Sequence, residues 1–182
     1  MTALRIAGLV LLLGTALGCT RSGGSIDLLP PFSDDTVVGT LKASWHDTGR
    51  QRVADAAGSV QHEVTVRVDA QNHLSDRLYV ALGDLRLRVS GGAVEVVEAS
   101  TTCSLAPGST PALLAGRVWL PAAEADRIRG FQIDHLAVPL SQRGLAIYRE
   151  YLLGQHRGDA PAIDSELAAL GAAPPCVSAT DQ

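Results

Sequence analysis

The clearest pattern in the chain is alternation. Val60, His62, Val64, Val66 and Val68 alternate with Gln61, Glu63, Thr65, Arg67 and Asp69, which makes one face apolar and the other polar. A period of two is that of a strand with one face buried and one in water. The same period appears at Leu78, Val80 and Leu82 and breaks at Gly83-Asp84. It resumes in the opposite phase at Leu85, Leu87 and Val89, with Arg86 and Arg88 on the polar side. Thr36–His46 is rich in β-formers, and Val94–Val97, Leu114–Leu120 and Phe131–Leu140 add further strand-like runs. Between them, Gln71–Asp76, Gly91-Gly92 and Leu105–Pro111 hold turn residues. Seven or eight short strands with close turns predict a mainly β domain, a sandwich or a barrel. The lack of strand–helix alternation argues against a doubly wound parallel sheet.

The period changes at both ends. Ser141 is placed to cap a helix over Arg143–Leu153 with Gly154 as its stop, and Asp164 to cap a second through Leu170, ended by Gly171. Residues 141–182 are therefore expected to form a helical extension packed on a sandwich spanning 36–140. Thr20–Asp35, with its Gly-Gly, Pro-Pro and Asp-Asp pairs, reads as a flexible tether. Before it, Arg5 precedes an unbroken apolar run, Ile6–Leu13, and then the small or apolar residues Gly14–Gly18. This is shorter than the roughly 20 apolar residues of a spanning helix. It has the form of a secretory signal over residues 1–18.

Ala16-Leu17-Gly18-Cys19, at the end of that run, resembles the lipobox of bacterial lipoproteins, in which a small residue precedes an invariant cysteine. The resemblance implies cleavage before Cys19, a diacylglycerol on its thiol and acylation (palmitate-type) of its freed amine. Residues 19–35 would then be a lipidated tether, and two or three acyl chains would hold the protein stably to a membrane of the cell envelope. Thr20, in place of the aspartate that marks inner-membrane retention, favours the outer membrane in a host with two. An ordinary signal peptide with a coincidental cysteine is the competing reading. If Cys19 carries lipid, Cys103 and Cys176 remain, and outside the cytoplasm such a pair is expected to form a disulfide. Two buried free thiols are the alternative.

The block Val64–Leu120, with its Asn72–Ser75 turn and Leu105-Ala106-Pro107-Gly108 loop, resembles Ig-like domains of uncharacterised bacterial envelope lipoproteins. That resemblance implies an Ig-like antiparallel β-sandwich of about seven strands, of a kind that mostly binds or scaffolds.

Charge narrows the function. The 182 residues carry 15 Lys+Arg against 19 Asp+Glu, and loss of Arg5 with the signal would take the net charge from −4 to −5. A mildly acidic chain is a poor partner for nucleic acid. No HExxH pair, zinc-spaced Cys/His cluster, GxSxG elbow, SxxK motif or phosphate-cradling glycine loop occurs, so no metal or cofactor is expected. His46, His62, His73, His135 and His156 are scattered. His62, on the apolar phase, reads as a half-buried packing residue, and Asp134 and His135, being adjacent on a strand, point to opposite faces. Asp84, Glu95 and Glu98 form no evident pair, and Asp34-Asp35 reads as solvated tether.

The candidate binding residues are Arg86, Arg88 and Trp119. The two arginines share a polar strand face and, joined by Arg67 or Arg77, would make a basic patch for an anionic glycan, headgroup or protein; a merely solvated face is the plain alternative. Trp119 lies out of phase with Leu114, Val118 and Leu120, so it is a candidate exposed aromatic. The reading that emerges is a lipid-anchored, non-catalytic domain that binds or scaffolds an envelope protein or glycan. Its alternatives are an envelope hydrolase or hydrolase inhibitor built near His62 or His135, and a structural subunit of a secretion or surface assembly with a large apolar patch.

Overall fold

The computed structural model describes residues 22–89, 92, 94–98, 100–155 and 158–179, so Cys19 and the signal segment lie outside the described residues. The elements in order are β1 (Ser22–Leu28), β2 (Gly39–Val53), β3 (Val60–Asn72), β4 (Leu78–Val89), β5 (Val94–Val97), β6 (Thr101–Leu105), β7 (Ala112–Pro121), α1 (Ala122–Ala125), β8 (Ile128–Pro139), α2 (Gln142–Gly154) and α3 (Ala160–Gly171). The strands form two antiparallel sheets. One has the order β1-β2-β3-β7; in the other, β4 pairs with β5 and β6 along one edge and with β8 along the other. The expected mainly β, two-sheet architecture with short C-terminal helices is what the chain forms.

Alternation explains the core between the sheets. Leu41, Ala43, Trp45, Val64, Val66, Val68 and Leu120 of the first sheet meet Leu78, Val80, Leu85, Leu87, Leu105 and Ile133 of the second in one cluster. The two apolar phases before and after Gly83-Asp84 belong to a single strand. A register shift between Leu82 and Leu85 inserts the one extra residue of a β-bulge, so both halves of β4 present leucine or valine inward. Asn72 is buried where β3 ends. Its Nδ2 donates to the Asp76 carbonyl at 2.8 Å and to the Leu105 carbonyl at 3.1 Å, and its Oδ1 accepts from the Leu74 amide at 2.9 Å. One side chain thereby shapes the turn into β4 and ties it to β6.

Two expectations need correction, and one strand was not foreseen. Residues 22–28 are not tether: all seven pair with β2, from Ser22 opposite Trp45 to Leu28 opposite Gly39. The Gly-Gly that suggested flexibility lies in that strand, where a Cβ on Gly23 would sit 2.8 Å from the Ala43 carbonyl oxygen. Strand β6 had no alternating signal, since Thr101–Leu105 is buried at three successive residues. The second helix is capped by Asp159, which accepts from the Ala162 amide at 3.1 Å, and Pro161 occupies its first turn. Asp164 instead accepts from Arg149 Nε at 2.7 Å.

Helices α2 and α3 lie on the outer face of the second sheet. Tyr148, Leu152, Ile163 and Leu170 form a second core with Val138, against which Tyr79 and Leu136 pack. Ser141 caps α2 as expected, accepting from the Gly144 amide at 3.0 Å. The tail after α3 runs beside β6: the Ser104 amide donates to the Pro174 carbonyl at 2.7 Å and the Cys176 amide to the Ser104 carbonyl at 3.0 Å. The Cys103–Cys176 disulfide fastens it there.

Candidate functional site

The outer face of the first sheet carries a recess lined by His46, Thr48, Arg50, Glu63, Thr65 and Arg117, with a volume of about 250 Å³. Its origin is a bulge. The pairing of β2 with β3 shifts between Asp47 and Gln51, and Gly49 within the shift adopts φ +77°, which a side chain would resist. Asp47 Oδ1 accepts from the Gly49 amide at 2.7 Å and holds this loop. The looped-out residues bring Thr48 and Arg50 over Glu63, which faces outward from the middle of the sheet.

Glu63 is the floor. Its side chain is 6% exposed, although it lies on the polar phase of β3. Oε2 accepts from Thr48 Oγ1 at 2.9 Å, with Arg50 Nη1 3.8 Å away, while Oε1 has Arg117 Nη1 at 3.8 Å. Two guanidiniums thus flank one buried carboxylate at ion-pair distance without forming hydrogen bonds to it. Thr65 Oγ1 and His46 Nδ1, 2.8 Å apart, complete the wall. Trp119 pairs across the sheet with Glu63 and is half-buried, and the Arg52 guanidinium stacks 4.6 Å above its ring. Arg52 Nε also donates to Gln61 Oε1 at 2.8 Å.

The structure separates the residues proposed as one binding surface. Trp119 is on the outer face of the first sheet, whereas Arg86 and Arg88, flanking the buried Leu87, are on the outer face of the second. Arg67 shares Trp119's sheet and pairs with Asp69 at 2.9 Å, and Arg77 donates to the Gly171 carbonyl at 3.2 Å. Arg86 sits 3.8 Å from Asp134 Oδ2. The expected basic patch does not assemble, because alternation fixes the face within a strand but not which strands become neighbours. The recess was missed for the same reason: Arg50, Glu63 and Arg117 come from three strands, and the bulge has no alternating signature.

The histidines proposed for hydrolysis are placed differently. His135 Nδ1 lies 3.2 Å from the Ile133 carbonyl oxygen. His62 Nδ1 meets Asp47 Oδ2, and its Nε2 is 3.1 Å from Gln51 Nε2. One tautomer satisfies both contacts: Nδ1–H donates to the carboxylate and Nε2 accepts from the amide. The position a nucleophile would take in a triad is filled by Gln51. Among the described residues, no group of three His, Cys, Asp or Glu could hold a metal ion.

A separate groove of about 500 Å³ lies at the end of the sandwich where α2 begins, lined by Pro30, Phe32, Leu74, Pro139 and Ile147 among others. It is the more apolar of the two surfaces.

No protein-family model matches the chain, and no curated protein sequence does. Among solved structures, it is similar to the variable (V) domain of the AgI/II polypeptide BspA of Streptococcus agalactiae. The identity is 17%, over 65% of this chain and 76% of that chain, with a TM-score of 0.26. A superposition that loose carries no weight for function.

Proposed function

We propose that the protein is a lipid-anchored envelope protein whose β domain binds a ligand without transforming it, and that the Glu63 recess is where it does so. The recess carries the proposal. A buried carboxylate flanked by two arginines, two threonines and a histidine, pre-shaped by a bulge, is the small set of converging polar groups that a specific site needs. At the Asp47–His62 pair, Gln51 holds the far nitrogen, so no hydroxyl nucleophile sits on that imidazole.

Strand β1 changes what the anchor does. Only Thr20 and Arg21 lie between Cys19 and the sheet, which spans about 10 Å at full extension. An acylated Cys19 would hold the sandwich close to the membrane rather than give it reach. Ser22 pairs with Trp45, the neighbour of His46, so the anchor would join the sheet at the level of the recess.

Two measurements test this reading. Intact mass of the membrane-fraction protein should show a chain beginning at Cys19 with added acyl mass; an unacylated chain would remove the anchor. Hydrogen exchange of the full chain with soluble envelope glycan fragments should show protection over residues 46–50, 63–65 and 116–119. Protection elsewhere would remove the recess as the site, and glycan cleavage would restore the hydrolase reading.

A further inference from the structure

The chemistry of the recess narrows its ligand, given that it is a binding site. Glu63 is acceptor-only when ionised, and it sits at the bottom, so the deep part of a ligand must offer donors. Thr48, Thr65 and His46 beside it both donate and accept, which suits hydroxyl groups. The rim is different. Arg50 and Arg117 each hold one nitrogen 3.8 Å from Glu63, too far to commit their forks to it. A guanidinium fork matches a planar carboxylate with two parallel hydrogen bonds. Two cations over one anion leave a single uncompensated positive charge, which a monoanion at the rim would balance. A dianion pushed deeper would meet the Glu63 carboxylate.

We infer that the recess takes a carboxylated sugar, with hydroxyls directed down to Glu63 and its carboxylate held at the rim by Arg50 and Arg117. A volume of about 250 Å³ is below the roughly 300–1,000 Å³ of drug-sized pockets, so the recognised unit is one sugar residue. That residue is a free uronic acid or the end of an acidic polysaccharide. The two arginines are on different strands, and Glu63 lies between them on β3. The sheet places Arg117 beside β3, and the β2 bulge places Arg50.

The test is saturation-transfer NMR on the purified full chain in detergent, with glucuronate, glucose and inorganic phosphate as the added compounds. Glucuronate should give transfer where glucose at the same concentration gives none, and phosphate should displace it only at large excess. Arg117→Gln should weaken glucuronate about tenfold or more, the scale of a lost charged hydrogen bond. Arg86→Gln, on the opposite face, should leave it unchanged. A short acidic oligosaccharide binding at least as tightly as glucuronate would identify the polymer end as the source, and weaker binding the free acid. Equal transfer from glucose would overturn the carboxylate, and tight displacement by phosphate would make this a phosphate site. If glucuronate fails while another envelope glycan protects the recess from exchange, only this inference falls. If no ligand protects it, the binding-site reading falls as well.

Discussion

Reduction of the Cys103–Cys176 disulfide should cost the fold about 4 kcal/mol, in a way that separates its covalent part from the contacts around it. The two cysteines are 73 residues apart, and the chain-entropy model assigns about 4 kcal/mol to closing such a loop in the unfolded state. Against a typical 5–15 kcal/mol total, that is a large fraction. For a domain of this size, each kcal/mol moves the melting temperature by about 2–4 °C, so reduction should lower it by about 8–16 °C. The noncovalent seam should survive in the reduced folded state, because the Ser104, Cys176 and Ala179 amides have acceptors in Pro174, Ser104 and Ala112 at 2.7, 3.0 and 2.7 Å. The cost should therefore appear mostly through the unfolded chain. The urea m-value should rise on reduction, since an uncrosslinked chain exposes more surface. The assay is paired urea and thermal unfolding with and without reductant, with hydrogen exchange at Cys176 and Ala179 as the local readout. A stability loss below about 1 kcal/mol, or an unchanged m-value with the whole loss in the folded state, would refute the entropic argument.

Other perturbations should act through named contacts. Leu85→Ala, at a fully buried residue of β4, should cost about 2–5 kcal/mol in urea unfolding, and a loss under 1 kcal/mol would show that the core collapses around it. Gly39→Ala would put a Cβ 2.5 Å from the Gln71 carbonyl oxygen and should cost about 1–3 kcal/mol, whereas Gly130→Ala, with nothing within 4 Å, should be near neutral. Ser141→Ala should cost about 1 kcal/mol by removing the α2 cap, read by thermal unfolding. Burial, with the Glu166 carboxylate second, raises the Tyr79 phenol above its usual range. The folded chain therefore holds that proton longer than the unfolded one. This contribution to stability is intact below the ordinary phenol pKa and is lost as pH rises past it. Phenolate absorbance should show a late-titrating component that Tyr79→Phe removes, and Glu166→Gln should bring part of the Tyr79 shift back.

Individual residues show where sequence reasoning reached and where it stopped. Val64, Val66 and Val68 were readable as an inward face because burial on a strand repeats every second residue. Ser141 was readable as a cap because the hydrogen bond it makes is three residues away. Ser22–Leu28 was not, since glycines suit both a tether and a strand whose neighbour's backbone approaches closely. The phase of β3 puts Glu63 on the outer face, where it lies, yet it is buried because a bulge in β2 folds Thr48 and Arg50 over it.

The amino-acid order by itself determined the phases of β3, β4 and β7, the turn at Asn72–Ser75, the first C-terminal helix and a cysteine count in which Cys103 and Cys176 pair if Cys19 carries lipid. All of these rest on contacts between residues close in the chain or on counting. The tertiary structure decided which strands lie side by side, and with that everything that depends on lateral distance. It separated Trp119 from Arg86 and Arg88 by the thickness of the sandwich, drew β1 into the first sheet, and gathered Arg50, Glu63 and Arg117 into one recess. Pairing is set by how the apolar faces of the eight strands among the described residues bury one another at once, a collective property that no local period encodes.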